Sequence, residues 1–302
     1  MDRIPKKWLY LIGLSLVWGS SFILIKKALI GLTPFQLGAL RIIFAALFLF
    51  AFGLRKVKGL RTREWKWITV SALLGTFIPA FLLAFAETEI DSSVASILNS
   101  TTPIMALILG ATLFGIQSSR NQLIGVIVGL IGSVLLIYVG SEVNPDQNYW
   151  YVGLVLMCSI CYAFNVNIIK RHLQEVPALA ITVGHFIVGF VPAIIVLLSS
   201  GFFSEATFEK ESLLPSLGYL LLLALIGTAI AKTFFNKLVQ LSTPVFASSV
   251  TYMIPVVALI WGLVDGENFS VFQALAATII IFGVYLANRK KKSKKNPRQH
   301  NR

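Results

Sequence analysis

The chain is short of charge. Only 13% of its 302 residues are Asp, Glu, Lys or Arg, and 56% are hydrophobic, with a mean hydropathy of +0.80. A soluble domain of this length carries roughly 25% charged residues, so a soluble globular class is excluded. Short alternating segments, the mark of a transmembrane barrel, are also missing. Cysteine is almost absent. Cys158 and Cys161 form a C-x-x-C inside an apolar helix with no further ligands nearby. A redox or zinc site needs a different context or more ligands, and the pair reads as small core residues, with no metal and no cofactor expected. There is no G-x-x-x-x-G-K-[ST] loop for a nucleotide engine and no H-E-x-x-H for a metalloprotease. No Asp or Glu falls inside an apolar run, which argues against an exporter of cationic drugs built on a buried carboxylate.

What is present is a series of apolar runs, each near the ~20 residues that cross hydrocarbon as a helix. Ten are expected, at 8–25, 34–54, 65–86, 92–114, 122–139, 149–169, 177–199, 214–235, 244–264 and 269–288. The fold class is an all-α integral membrane protein. The first run is too long for a cleavable signal, and no small-x-small site follows it, so it is expected to stay as a span.

Net charge is +13, and the charges sort by side. With ten spans, 21 of the 26 basic residues fall on the side of the termini, while the other side carries only Lys26, Lys27 and Lys210. Basic excess marks the cytoplasmic face, which places both termini inside a cell (inner) membrane. Glu87, Glu89, Asp91, Asp265 and Glu267 are among ten acids on the opposite side. The basic tail at 291–302 is a juxtamembrane polybasic segment that meets anionic lipid. No nucleic-acid partner is implied, and oligomeric state is left open.

One passage occurs twice. Ala95-Ser96, Pro103, Ala106 and Gly110 recur as Ala247-Ser248, Pro255, Ala258 and Gly262, 152 positions later, and Gly75-Thr76 recurs as Gly227-Thr228 at the same offset. Trp18, Lys26 and Lys27 align with Tyr162, Lys170 and Arg171 at an offset of 144, and Arg41 with His185. A fixed period of half the chain means two copies of one unit, at 5–140 and 149–290, joined by a polar linker. Five helices per unit is an odd number, so the second unit enters from the opposite side and the pair is inverted.

Trp18-Gly19-Ser20-Ser21-Phe22 followed by Lys26, the Thr102-Pro103 to Gly110 segment, Gly266-Glu267, and Gln273 to Gly283 resemble the repeats of EamA-type transporters of the drug/metabolite transporter superfamily. The resemblance covers nearly the whole chain. It implies ten helices, termini inside, a central substrate cavity, and export of amino acids and other metabolites. Glu267 has no partner in the first half, where Ile116 stands, and reads as a structural loop residue.

Only Arg41, His185 and Lys232 are plainly ionisable within the runs. Charge at membrane depth is costly, so each is a candidate site residue. For each a structural reading stands beside the functional one. Arg41 could pair with carbonyls, His185 could be a satisfied core histidine, and Lys232 could snorkel to the interface. Thr228, Lys232 and Asn236, spaced four apart, form a polar stripe expected to face the bundle. Ser96, Asn99 and Pro103 share a face, as do Thr251, Tyr252 and Pro255. Each proline frees a carbonyl one turn earlier, a ligand for substrate or simply a packing kink. Trp18 and Ser21 on the first helix face Tyr162 and Asn165 on the sixth, a set suited to a mostly apolar pocket with polar anchors. The candidate substrate-binding residues are therefore Trp18, Ser21, Arg41, Asn99, Tyr162, Asn165, His185, Lys232 and Tyr252, with no catalytic set. The leading reading is a secondary transporter exporting small carboxylate-bearing solutes. A membrane scaffold or lipid-handling protein and an intramembrane enzyme are the other classes; the enzyme has no nucleophile–base pair to rest on. The two halves differ where Lys232 answers Ala80, His185 answers Arg41 and Tyr252 answers Ser100.

Overall fold

A computed structural model describes residues 6–115, 120–143 and 146–288. The polybasic tail expected at 291–302 lies outside the described residues. Among those described there are helices and no strands: α1 (Lys6–Ala28), α2 (Pro34–Gly53), α3 (Thr62–Ala72), α4 (Ile78–Ala86), α5 (Ser92–Asn99), α6 (Thr102–Leu113), α7 (Arg120–Val143), α8 (Val152–His172), α9 (Ala178–Ser199), α10 (Glu205–Phe208), α11 (Leu213–Leu222), α12 (Ala231–Leu241), α13 (Pro244–Ser248), α14 (Ile254–Val264) and α15 (Val271–Asn288). Merging elements that run on into one another gives, among the described residues, eight helical stretches long and apolar enough to cross a membrane: Lys6–Ala28, Pro34–Val57, Thr62–Ala86, Ser92–Leu113, Tyr149–His172, Ala178–Ser199, Leu213–Leu241 and Pro244–Val264. The fifth and tenth expected runs are the helices α7 and α15, whose apolar stretches, Ile127–Leu136 and Val271–Gly283, are shorter.

The polarity of the molecule is inverted relative to a soluble protein. Leu9, Phe52, Ile195 and Leu263 are exposed, while Asn99, Asn165, Asn167, His185, Lys232 and Asn236 are buried. In water such an apolar surface would drive association; in lipid it is the solvated face.

Prolines account for the breaks. Pro103 cannot donate to the carbonyl of Asn99, and the helix parts at Ser100 and Thr101 between α5 and α6. Pro255 does the same in the second half, where Ser249–Tyr252 tightens to a 3₁₀ turn between α13 and α14. The freed Asn99 carbonyl accepts from the Thr102 hydroxyl of α6 at 2.7 Å, so it is satisfied locally across the break. The third helix of each half carries a different irregularity. A π-turn at Leu73–Phe77 joins α3 to α4, and one at Leu223–Ile230 joins α11 to α12. Such widened turns concentrate at functional positions because they release backbone carbonyls and re-aim side chains.

The halves meet through equivalent helices. α2 packs on α9, and α7 runs along α15. At the second contact a Cβ on Gly283 would fall 2.4 Å from the backbone nitrogen of Gly129. Only glycine permits that approach, which is the small-residue logic of membrane helix packing.

Candidate substrate cavity

A cavity of about 90 Å³ lies between the two halves. With one water needing ~10–15 Å³ by this measure, it holds a handful of waters or one small solute. Trp18, Ser21, Arg41, Asn99, Tyr162 and Lys232 reach its wall, as do Gly75, Thr76, Gly227 and Thr228. Asn165, His185 and Tyr252 are not part of the wall. Asn165 and His185 are wedged between helices, 0% and 1% exposed, and Tyr252 packs against the core.

The π-turns organise the wall. In the second half, the Thr228 hydroxyl donates to the carbonyl of Leu223 at 2.9 Å and accepts from Arg41 Nε at 2.7 Å. In the first half, the Thr76 hydroxyl meets His185 Nδ1 at 3.3 Å. Arg41 and His185 are equivalent positions, as are Thr228 and Thr76, so each half sends its second helix to the π-turn of the other. The glycines beside these threonines repeat the exchange. The Gly227 carbonyl accepts from the Trp18 indole at 2.9 Å, and the Gly75 carbonyl accepts from Lys232 Nζ at 2.5 Å. A Cβ on Gly75 would collide with the Asn165 side chain, and one on Gly227 would lie 2.7 Å from Ser21 Oγ. Asn165 and Ser21 again occupy matching places. Asn165 Oδ1 accepts from Ser71 at 2.6 Å, while its buried Nδ2 has no hydrogen-bond partner among the described residues, and Ser21 donates to Val17.

Lys232 does not snorkel. It is 7% exposed, and its stripe-mates Thr228 and Asn236 are buried with it. Its ammonium also stands 6.0 Å from the Phe235 ring centroid, and Phe235 in turn lies 4.9 Å from Trp18. Arg41 Nη1 is buried and has no hydrogen-bond partner among the described residues. Among the described residues neither Asp nor Glu lines the cavity. Two basic side chains thus stand at the wall of a small space that aromatics also line, and Arg41 has one nitrogen without a partner among the described residues. No group of three metal-ligating side chains occurs among the described residues.

Beyond one end of the cavity lies a face built of charge. Lys26, at the end of α1, reaches Glu267 at 2.8 Å, Asp265 at 3.6 Å and Asp91 at 4.0 Å, while Lys27 pairs with Asp265. Glu267 is no ordinary loop residue. The turn after α14 has Gly266 at φ +84°, with Glu267 N–H bonded to Gly262 O at 2.9 Å and Gly266 N–H to Leu263 O. This is a Schellman closure, and it needs glycine at that position. It folds the Glu267 carboxylate back onto the N-terminus of α5, where it accepts from the N–H groups of Ser92 and Ser93 and from the Ser93 hydroxyl at 2.7 Å. A carboxylate is favoured there by the helix dipole and the open N–H groups. The bonds tie the second half to the first. At the corresponding place on Lys170, equivalent to Lys26, the ammonium instead meets the Gln240 carbonyl at 3.3 Å.

The EamA-like transporter family matches at residues 6–138 and again at 149–289. The chain belongs to that family. It is 29% identical over 284 residues to the "uncharacterized inner membrane transporter YedA" of Escherichia coli K12, covering 91% of this chain and 88% of the relative. It is 23% identical over 287 residues to an "uncharacterized transporter" of Archaeoglobus fulgidus, covering 95% and 100%. With the "uncharacterized transporter YoaV" of Bacillus subtilis it shares 24% identity, over 93% and 96%. A solved crystal structure superimposes with a TM-score of 0.67 over 94% of this chain and 96% of that one at 18% identity, a likeness of fold. The family and its named relatives are transporters rather than enzymes, and this chain is a multi-span membrane protein.

Proposed function

We propose that this protein is a secondary transporter that exports small carboxylate-bearing solutes, amino acids or related metabolites, across the inner membrane by alternating access. The observation that carries the reading is the cavity wall: Arg41 with an unpartnered Nη1, Lys232 opposite a backbone carbonyl, and no acid. An arginine fork in a water-poor site is matched by a carboxylate, which takes two parallel N–H bonds. Trp18, Tyr162 and Phe235 supply the apolar remainder and an aromatic surface for a solute's ammonium or side chain.

The architecture proposed with it is ten spans in two inverted five-helix repeats, 5–140 and 149–290, with both termini cytoplasmic and the face of Lys26 and Glu267 outside. The reciprocal pairing of second helices with π-turns is what an in-plane pseudo-two-fold axis produces. Of the nine candidate residues, Trp18, Ser21, Arg41, Asn99, Tyr162 and Lys232 are proposed to meet solute directly. Asn165 and His185 are proposed to hold the π-turn of the first half, and Tyr252 to shape the broken ninth helix behind the wall.

The test is a metabolite export profile of cells with and without the protein, repeated with Lys232→Ala. Export of amino acids or organic acids that falls with the substitution supports the reading. An unchanged profile overturns the assignment of Lys232, and no exported solute at all favours a scaffold.

A further inference from the structure

Glu87 is a buried carboxyl that the cavity does not use. It follows α4 directly, one turn beyond Leu83, which lines the cavity, and it is 6% exposed. Its Oε2 accepts from the Ser92 hydroxyl at 2.9 Å, and its Oε1 has no hydrogen-bond partner among the described residues. Ser92 is also one of the two residues whose N–H groups hold Glu267, at 3.2 Å. One serine therefore bridges two carboxylates from different halves. Glu267 belongs to the charged lock; Glu87 stands between that lock and the cavity. The charged groups facing Glu87 are Glu267 from the α14–α15 turn, Lys26 from α1 and Arg41 from α2. Asp91 and Asp265 lie further out and face Lys26.

This arrangement suits a neutral carboxyl and not an ionised one. Lys26 is engaged by Glu267, Asp265 and Asp91, and among the described residues neither Lys26 nor Arg41 forms an ion pair or hydrogen bond with Glu87. An ionised Glu87 would be a desolvated anion holding one hydrogen bond next to a second carboxylate. Burial, with Glu267 adding to it, pushes Glu87 well above the usual carboxylate range; the Ser92 hydroxyl, Lys26 and Arg41 pull the other way.

We propose that Glu87 is a proton-binding site: it takes a proton when the outer lock closes and gives it up when that lock opens, so that closure of the outer face is coupled to proton uptake. The O–H bond forms at the unpartnered carboxyl oxygen with a proton from outer-side water, and on opening the proton returns to that water. The closed state binds the extra proton, so acid favours closure, and the closed population falls as pH rises through the value Glu87 has when buried. The inference takes the alternating-access reading for its meaning. Its test needs no solute, so its failure is separable from failure of the transport assignment.

The experiment is a pH titration of the distance between spin labels at Thr88→Cys and Val264→Cys, on the full chain in lipid nanodiscs with Cys158→Ala and Cys161→Ala. The expected result is a short distance at low pH and a growing long-distance population as pH rises. Glu87→Gln should lose that response and stay short throughout, and Glu87→Asp should keep it with a shifted midpoint. If Glu87→Gln fails to fold, the Glu87→Asp midpoint decides. The proposal is overturned by a pH-independent distance in the parent protein, by an unmoved midpoint in Glu87→Asp, or by a response that survives Glu87→Gln. Opening on acidification also overturns it, since that sign belongs to protonation of Glu267.

Discussion

Arg41 Nε donates to the hydroxyl of Thr228 at 2.7 Å, a bond between the second helix of one half and the π-turn of the other. Its counterpart, between His185 and Thr76, is longer at 3.3 Å. Hydrogen bonds to charged groups contribute more than neutral ones, about 1.5–3 against about 1 kcal/mol, and the buried guanidinium nitrogen Nη1 has no hydrogen-bond partner among the described residues. Thr228→Val should therefore cost about 2 kcal/mol of stability, and Thr76→Val about 1 or less. Thermal unfolding of the two variants in the same detergent checks the order. Equal losses would mean that the charge on Arg41 adds nothing.

Gly75 is held free of a side chain by Asn165, which lies where a Cβ would go. Overpacking of this kind costs about 1–3 kcal/mol. Gly75→Ala should destabilise by that amount, and Asn165→Ala should relieve part of it. In a double-mutant cycle the two should couple by more than about 0.5 kcal/mol. Additive effects would show that the helices separate without the contact.

Glu267 joins Lys26 to the start of α5. Its side chain is 2% exposed and that of Lys26 is 32% exposed, so the pair is only partly screened. Glu267→Gln keeps the shape but removes the charge, and should cost about 1–3 kcal/mol. It should also raise reaction of a cysteine at Ser93 with a membrane-impermeant thiol reagent. Unchanged labelling would show that the lock does not control access at this face.

The sequence already contains the frame of these contacts, in the offset of 152 that relates Gly75-Thr76 to Gly227-Thr228 and in the match of Arg41 to His185. Hydropathy located the helices, because lipid exposure demands continuous apolar runs. The contacts were hidden for a physical reason. A repeat shows that residues are equivalent, while the pairing of Arg41 with Thr228 depends on how the copies face each other. Glu267 looked like a loop residue because its partners, the N–H groups of Ser92 and Ser93, are backbone and leave no trace in composition. Glu87 stands at the edge of an apolar run, where an acid ordinarily meets water; here it is buried and accepts from Ser92 of α5. Asn165 and His185 are as polar as the cavity residues, and each spends one polar atom on a neighbouring helix.

Lys232 is the residue on which the substrate reading turns. One charge-assisted hydrogen bond is worth about 1.5–3 kcal/mol, so its loss should weaken solute binding roughly tenfold or more. The most direct measurement is uptake of radiolabelled amino acids, organic acids and lipophilic cations into proteoliposomes containing the parent protein, Lys232→Gln or Arg41→Gln. The account predicts that carboxylate-bearing solutes move, that lipophilic cations do not, and that both substitutions cut the flux at least tenfold. Transport of lipophilic cations alone, or flux of carboxylates undiminished by either substitution, would contradict it.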